Sequence, residues 1–436
     1  MPGSTSDSNN IVRSDKSIPV FVRSRANMLL ALVVTLVLGG AAYAGFVTGR
    51  YESVLFSLAA ITIVVVPAAV VRDPTVMPPW YFLLLICLPV LWDVMTDSPL
   101  SRGIIPSLSL ATLGLLLMVE IHYLTTLRLA PWFTIVLTGL FTLAMAAVLN
   151  IGRWTSDTLF GTAFLLDGRT QDAINTAVMI EFVAAAVAGI IAGGIFYLHF
   201  WKSSVRSDER LQPQSPTPDT ETNTQSAILS DRLGISPQRQ RQAVRVMQMG
   251  LALVFGYGLW TVQVSFVINS GAALAITFIP AVFERDYGIQ IEPALGLWIT
   301  SAVFLHVLGT VGLYGLIPAW DSLTHTLSAT VVAAAGYTLL RVIHLHASSI
   351  HFPPWAMFVF TLIVVLAMGV VWEILEFAID QSALLLEIDP VLAQHGIDDT
   401  IVDLIFNGIG AILVATWGTV YLTTVSKRVA SQLDQQ

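Results

Sequence analysis

The feature that most constrains this chain is a succession of long apolar runs almost free of charge. A membrane-spanning helix needs about 20 predominantly apolar residues. Such runs recur at 28–48, 54–71, 77–92, 104–127, 131–151 and 175–200, and again at 244–268, 270–283, 293–316, 321–343, 353–379 and 399–424. Those at 77–92 and 270–283 are short. The alternation of a spanning strand is missing, so helices are the expected spanning elements. Only 11% of the 436 residues are charged and mean hydropathy is +0.75, whereas soluble domains carry about 25% charged residues. The expected fold class is an all-α polytopic membrane protein of about 12 transmembrane helices.

A net charge of −8 argues against a nucleic-acid partner; the expected partner is the lipid bilayer. The single cysteine, Cys87, excludes an internal disulfide and a cysteine-based metal cluster. The run from Asn27 to Thr48 follows a polar tail and lacks a small-residue cleavage site. It is expected to remain as the first transmembrane helix. Between the two groups of runs, residues 202–243 are polar and rich in Pro, Ser, Thr and Gln, as in a disordered linker.

Four blocks recur in the same order. PAAVVRD (67–73) matches PAVFERD (280–286), and WDVMTD (92–97) matches WDSLTH (320–325). Segment 131–157 lies without a gap on 354–380, and 175–198 lies on 399–422. The expected organisation is a polar tail (1–26), a first six-helix repeat (27–201), the linker (202–243), a second six-helix repeat (244–425) and a short tail (426–436). An even helix number gives parallel repeats. Lys and Arg gather in both tails and in the linker. These regions share one side, expected to be cytoplasmic in a multi-pass cell-membrane protein.

Ionisable groups concentrate in the second repeat. Asp321 and His325 begin one predicted helix, Glu373, Glu376 and Asp380 end the next, and Asp398, Asp399, Asp403 and Asn407 begin the last. Residues three or four apart share a helix face. Each of these helices therefore carries a polar stripe, and all three stripes lie at the outward end. Charged groups in a span are costly and mark functional positions. A plainer reading stands beside this one. Asp321, Asp398 and Asp399 sit where acidic residues cap helix N-termini. Capping does not serve Glu373, Glu376 and Asp380 at a helix C-terminus.

Such carboxylates repel one another unless some keep protons or a cation sits among them. The candidate metal ligands are Asp321, His325, Glu373, Glu376, Asp380, Asp399, Asp403 and Asn407. Oxygen donors with one imidazole suit Mg²⁺, Ca²⁺ or Mn²⁺ before Zn²⁺. Glu373, Glu376 and His325 are the candidate catalytic groups. His344, His346 and His351 lie together near the opposite side, as interfacial loop histidines before a metal site, and His306 is expected to be a hydrogen-bonded packing residue. Small residues at 192–194 and 408–411 suggest close helix packing.

The first repeat keeps the acidic pattern only in part. Asp93 stands for Asp321, Asp97 for His325, Asn150 for Glu373, Arg153 for Glu376, Asp157 for Asp380, Asn175 for Asp399 and Met179 for Asp403. One active half and one supporting half is the simpler expectation.

The carriers PAVFERDYGI, WDSLTH, GVVWEILEFAIDQ and DDTIVDLIFNGIGA give 280–421 a resemblance to the YjdF-like inner membrane proteins, a family of unknown function. A fainter similarity reaches the VanZ-like proteins, associated with glycopeptide resistance and the cell envelope. Their pattern also runs D-x-x-x-H, E-x-x-E or E-x-x-Q, then D-x-x-x-N-x-x-G-A. This chain departs from them in its degenerate first half and in lacking an Arg before the last helix. Three functions stay open. One is a site for a divalent cation or an envelope lipid group, with or without hydrolase-like chemistry. The second is a proton- or sodium-coupled transporter, and the third a structural or accessory membrane protein.

Overall fold

The computed structural model describes residues 22–95, 104–124, 130–204, 235–288, 291–346, 352–388, 390–392 and 394–418. Most of the two tails and the linker, with Asp97 and His351, lie outside the described residues, as do the side chains of Asp93 and His346. The protein is an all-α polytopic membrane protein. Among the described residues, ten helices are long and apolar enough to cross a membrane, and two shorter apolar helices, Phe82–Trp92 and Ser107–Ile121, accompany them.

The chain forms two compact units, divided between Val94 and Met95. In the first, α1 (Arg25–Val47) and α2 (Tyr51–Val71) form a hairpin, and α3 (Trp80–Met95) follows. A two-residue antiparallel ladder, β1 (Val22–Arg23) with β2 (Val76–Met77), ties the two ends of the hairpin. The Asn27 amide donates to the Pro78 carbonyl at 2.9 Å beside it.

The second unit begins with α4 (Ile104–Leu124), α5 (Pro131–Phe160) and α6 (Gln171–Ser204), which pack on one another. Next come α7 (Pro237–Thr261), α8 (Val264–Thr277), α9 (Ile279–Tyr287) and α10 (Pro293–Leu308). The last three are α11 (Trp320–His346), α12 (Pro354–Leu385) and α13 (Ile397–Leu413). Helices α11, α12 and α13 pack mutually, and α12 also rests on α5. The two groups of helices therefore meet within one chain, across cores that include Phe133, Leu137, Phe360, Ile363 and Val365, and Val178, Phe182, Val370 and Leu404.

Several boundaries differ from the apolar runs, for local reasons. The run at 244–268 begins seven residues earlier, at Pro237. Ser236 caps it, its hydroxyl accepting from the Arg239 amide at 3.4 Å. Charged first turns depress hydropathy without opposing a helix. The run at 270–283 breaks in two, because Pro280 restarts a helix at the first-turn position where proline fits. After α10, residues Gly309–Leu313 widen into a π turn in which Gly312 takes φ 146°, a conformation that only glycine adopts freely.

The recurring blocks fold alike only in part. Segments 131–157 and 354–380 are α5 and α12, and 175–198 and 399–411 lie in α6 and α13. By contrast, Trp92 and Asp93 close α3, whereas Trp320 and Asp321 open α11.

Candidate functional site

Three helix ends meet where the acidic stripes were expected. Trp320 fixes the start of α11, its indole N–H donating to the Leu305 carbonyl at 3.0 Å. One turn on, His325 Nε2 lies 3.6 Å from Asp321 Oδ1 and 3.5 Å from Asp403 Oδ2 on α13. One donor atom from each of the three lies within 4.8 Å of the other two. Asp403 is buried and Asp321 borders the exterior. Asn407, one turn beyond Asp403, lies near the imidazole. Glu376 on α12 is 7% exposed. It makes no hydrogen bond among the described residues, and its like-charged neighbours are Asp403, Asp399, Asp321 and Asp380.

The other candidates have local employment. Asp380 is not part of the group: its Oδ1 accepts the Val391 and Leu392 amides at 2.9 Å each and its Oδ2 the Gln394 amide at 3.0 Å. It holds the segment leading into α13. Asp399 Oδ2 accepts the His395 amide at 2.9 Å. Asp398 leaves the site altogether, accepting the Trp154 indole at 2.7 Å and the Gln171 amide side chain at 2.9 Å.

Glu373 is fully buried. Its Oε2 accepts from Gln394 Nε2 at 3.0 Å, while Oε1 has no hydrogen-bond partner among the described residues. Gln394 Oε1 in turn accepts from Asn175 Nδ2 at 2.7 Å, and Asn175 Oδ1 accepts from the Thr400 hydroxyl at 3.1 Å. An uncharged relay thus runs from the carboxylate into the first half.

At the first-half positions that the matching blocks align with Glu373 and Glu376 stand Asn150 and Arg153, the latter in an ion pair. Arg153 Nη1 donates to Glu181 at 2.9 Å and to Asn150 Oδ1 at 3.1 Å, with the Arg153 and Glu181 side chains 10% and 9% exposed. Met179, standing where Asp403 does, is buried in the apolar core.

Residues 243–424 match a family described as predicted membrane protein (DUF2238), and residues 17–77 match a domain of unknown function (DUF8268). An uncharacterized protein of Thermotoga maritima is 32% identical over 140 residues, which span 32% of this chain and 68% of that relative. The chain belongs to the DUF2238 family of predicted membrane proteins. No solved structure matches it.

Sequence spacing missed a second polar cluster beside the site. His306 on α10 has both ring nitrogens engaged, Nδ1 with the Tyr314 hydroxyl at 2.8 Å and Nε2 with Asn269 Oδ1 at 3.3 Å. Trp372 packs edge-on against the same ring at 6.3 Å. Tyr314 reaches back across the π turn, whose Gly309 leaves room for its ring. Pairing across a break in a helix has no fixed spacing, so only the sequence oddity of three glycines in 309–315 hinted at it. Gln394 and His395 were likewise invisible, because they sit in a connecting segment. At the far end of α11, His344 Nδ1 accepts the Phe352 amide at 2.9 Å and the ring stacks on Phe352, as a loop histidine does.

Proposed function

We propose that this DUF2238 protein binds one divalent cation through Asp321, His325 and Asp403, on the outward side of the cell membrane, with both termini cytoplasmic. One observation carries the reading. His325 Nε2 stands 3.5 and 3.6 Å from two carboxylate oxygens. Good hydrogen bonds to a ring nitrogen measure about 2.7–3.2 Å. Two ligands of one ion, each about 2.0–2.6 Å from it, lie roughly 3–4 Å apart. The observed spacing suits shared coordination better than direct pairing.

Charge supports the same reading. Asp403 is buried among Glu373, Asp321 and Asp399, and an ion of charge +2 offsets two of these carboxylates. One imidazole with carboxylate oxygens suits Mn²⁺ or Mg²⁺, then Ca²⁺. Asn407 would orient the imidazole as an outer partner. Glu376, buried and free of hydrogen bonds among the described residues, would complete the coordination or accept a proton from a bound group.

The test is elemental mass spectrometry of the purified protein beside Asp403→Ala and Asp321→Ala. About one equivalent of a divalent metal, lost in both variants at unchanged thermal stability, supports the site. Absence of metal from the unaltered protein overturns it. The buried carboxylates Glu373 and Glu376 would then be read as proton carriers, and proton- or sodium-driven flux in vesicles becomes the measurement.

A further inference from the structure

Beside the acidic group lies a cavity of about 330 Å³ that its residues do not fill. Its walls are three matching helix faces: Asn269 to Ile276 on α8, Ile299 to His306 on α10 and Val365 to Trp372 on α12. Each contributes residues at i, i+3, i+4 and i+7, one continuous stripe. Helix α11 closes the fourth side. Seven residues at about 1.5 Å each make the cavity about 10 Å long, parallel to the spans.

The lining is graded along that length. At one end stand Asn269, His306, Thr324 and His325, the last with its Nε2 turned to Asp321 and Asp403. At the other end the walls are Ile276, Ile299, Val332 and Val365. The polar end meets the proposed ion site at His325, the one residue common to both, and the apolar end lies deeper in the membrane-spanning helices. A molecule matching both ends has a polar group and a hydrocarbon tail lying along the bilayer normal. Water gains little from so apolar a space, which has few partners to offer it.

We propose that this cavity holds one hydrocarbon chain of an anionic lipid whose phosphate sits on the ion at Asp321, His325 and Asp403. The chain's place stands on the cavity. The headgroup's place rests on the cation reading, because a phosphate beside these carboxylates needs a cation between them. The substrate class of the site is then a phosphate-bearing lipid presented from the surrounding bilayer.

The probe is a phosphatidic acid carrying a diazirine near the end of one acyl chain, in phosphatidylcholine vesicles containing the purified full-length protein. After illumination, cross-linked residues are mapped by peptide mass spectrometry. Adducts on Ile276, Ile299, Val332 or Val365 are expected. Ala302 is a buried wall residue, and Ala302→Phe is expected to lower these adducts about tenfold. Val332→Phe repeats the test from α11 should the first variant fold poorly, and Leu339→Phe, on an exposed part of the same helix, should leave the adducts unchanged. Adducts confined to the exterior, or unchanged in both filling variants, overturn the proposal. Chelation should remove the cavity adducts; their persistence in metal-free protein overturns the placement of the phosphate. Metal content of the same samples judges the cation reading separately.

Discussion

Asp157 and Asp380 perform the same task in two different helices. Each lies near the C-terminal end of its helix, and each accepts three backbone amides from the segment that follows: Phe164, Leu165 and Leu166 for Asp157, Val391, Leu392 and Gln394 for Asp380. A helix C-terminus disfavours negative charge, so these contacts are what holds the carboxylates there. The matched roles, at positions the repeat alignment pairs, support the reading of two related halves.

Asp380→Asn should therefore act on folding. An amide leaves at least one of the three N–H groups facing another donor, at about 1–3 kcal/mol for an unsatisfied buried group. Asp157→Asn should cost a similar amount. Thermal unfolding in detergent, with hydrogen exchange over 390–396, checks this. Asp380→Asn should speed exchange there yet leave the metal content at that of the unaltered protein. Loss of metal without loss of stability would place Asp380 among the ligands after all.

The helices and the acidic stripes were legible in the sequence because both depend on spacing within one element. Asp321 and His325, or Asp399 and Asp403, share a face by helical geometry alone. Which stripe meets which partner is decided by packing. Asp380 and Glu376 share the stripe of α12, yet one faces the segment before α13 and the other faces Asp403. Asp398, next to Asp399, turns instead to Trp154 and Gln171. The cavity was wholly hidden, since Ala273 and Ala302 read as ordinary spanning residues and only their shared vicinity leaves space.

The Arg153–Glu181 pair gives a second prediction. Both side chains are about one-tenth exposed, so removing one takes a 2.9 Å ion pair from the other in a largely buried place. Arg153→Met or Glu181→Leu alone should destabilise by about 3–5 kcal/mol, while the double variant should recover most of that loss. Denaturation of the four proteins in a thermodynamic cycle measures the coupling. A double variant no more stable than either single one would show that these side chains matter through other contacts.

Ion binding should depend on Asn407 and on pH. Asn407→Ala removes the group proposed to orient the imidazole, a loss that typically weakens metal affinity about 10–100-fold. Protons compete with the ion for His325 and the two carboxylates, so affinity should fall as pH falls. Titration with Mn²⁺ at several pH values, followed by its electron paramagnetic resonance signal, reads both effects. Affinity independent of pH, or unmoved by Asn407→Ala, would count against His325 as a ligand.

Gly410 carries no polar side chain, yet its packing bears on the site. In a bilayer, lipid tails are as apolar as the helices, so association relies on close approach at small residues. A Cβ on Gly410 would lie 2.5 Å from the Thr326 carbonyl oxygen and 2.8 Å from Ala329 Cβ. The first contact is backbone and cannot swing aside. Gly410→Ala must therefore push α13 away from α11, at about 1–3 kcal/mol for overpacking. Asp403 and His325 sit on these same two helices, one to two turns nearer the site, so the 3.5 Å spacing between them must open as well. The variant should lose metal affinity although it alters no ligand, and a shorter residue at Ala329, which relieves the 2.8 Å contact but leaves the Thr326 carbonyl in place, should restore it only in part. Ala329→Gly in the Gly410→Ala background is that rescue, read by metal content and thermal stability together. Recovery of stability without recovery of metal would separate helix packing from the geometry of the site.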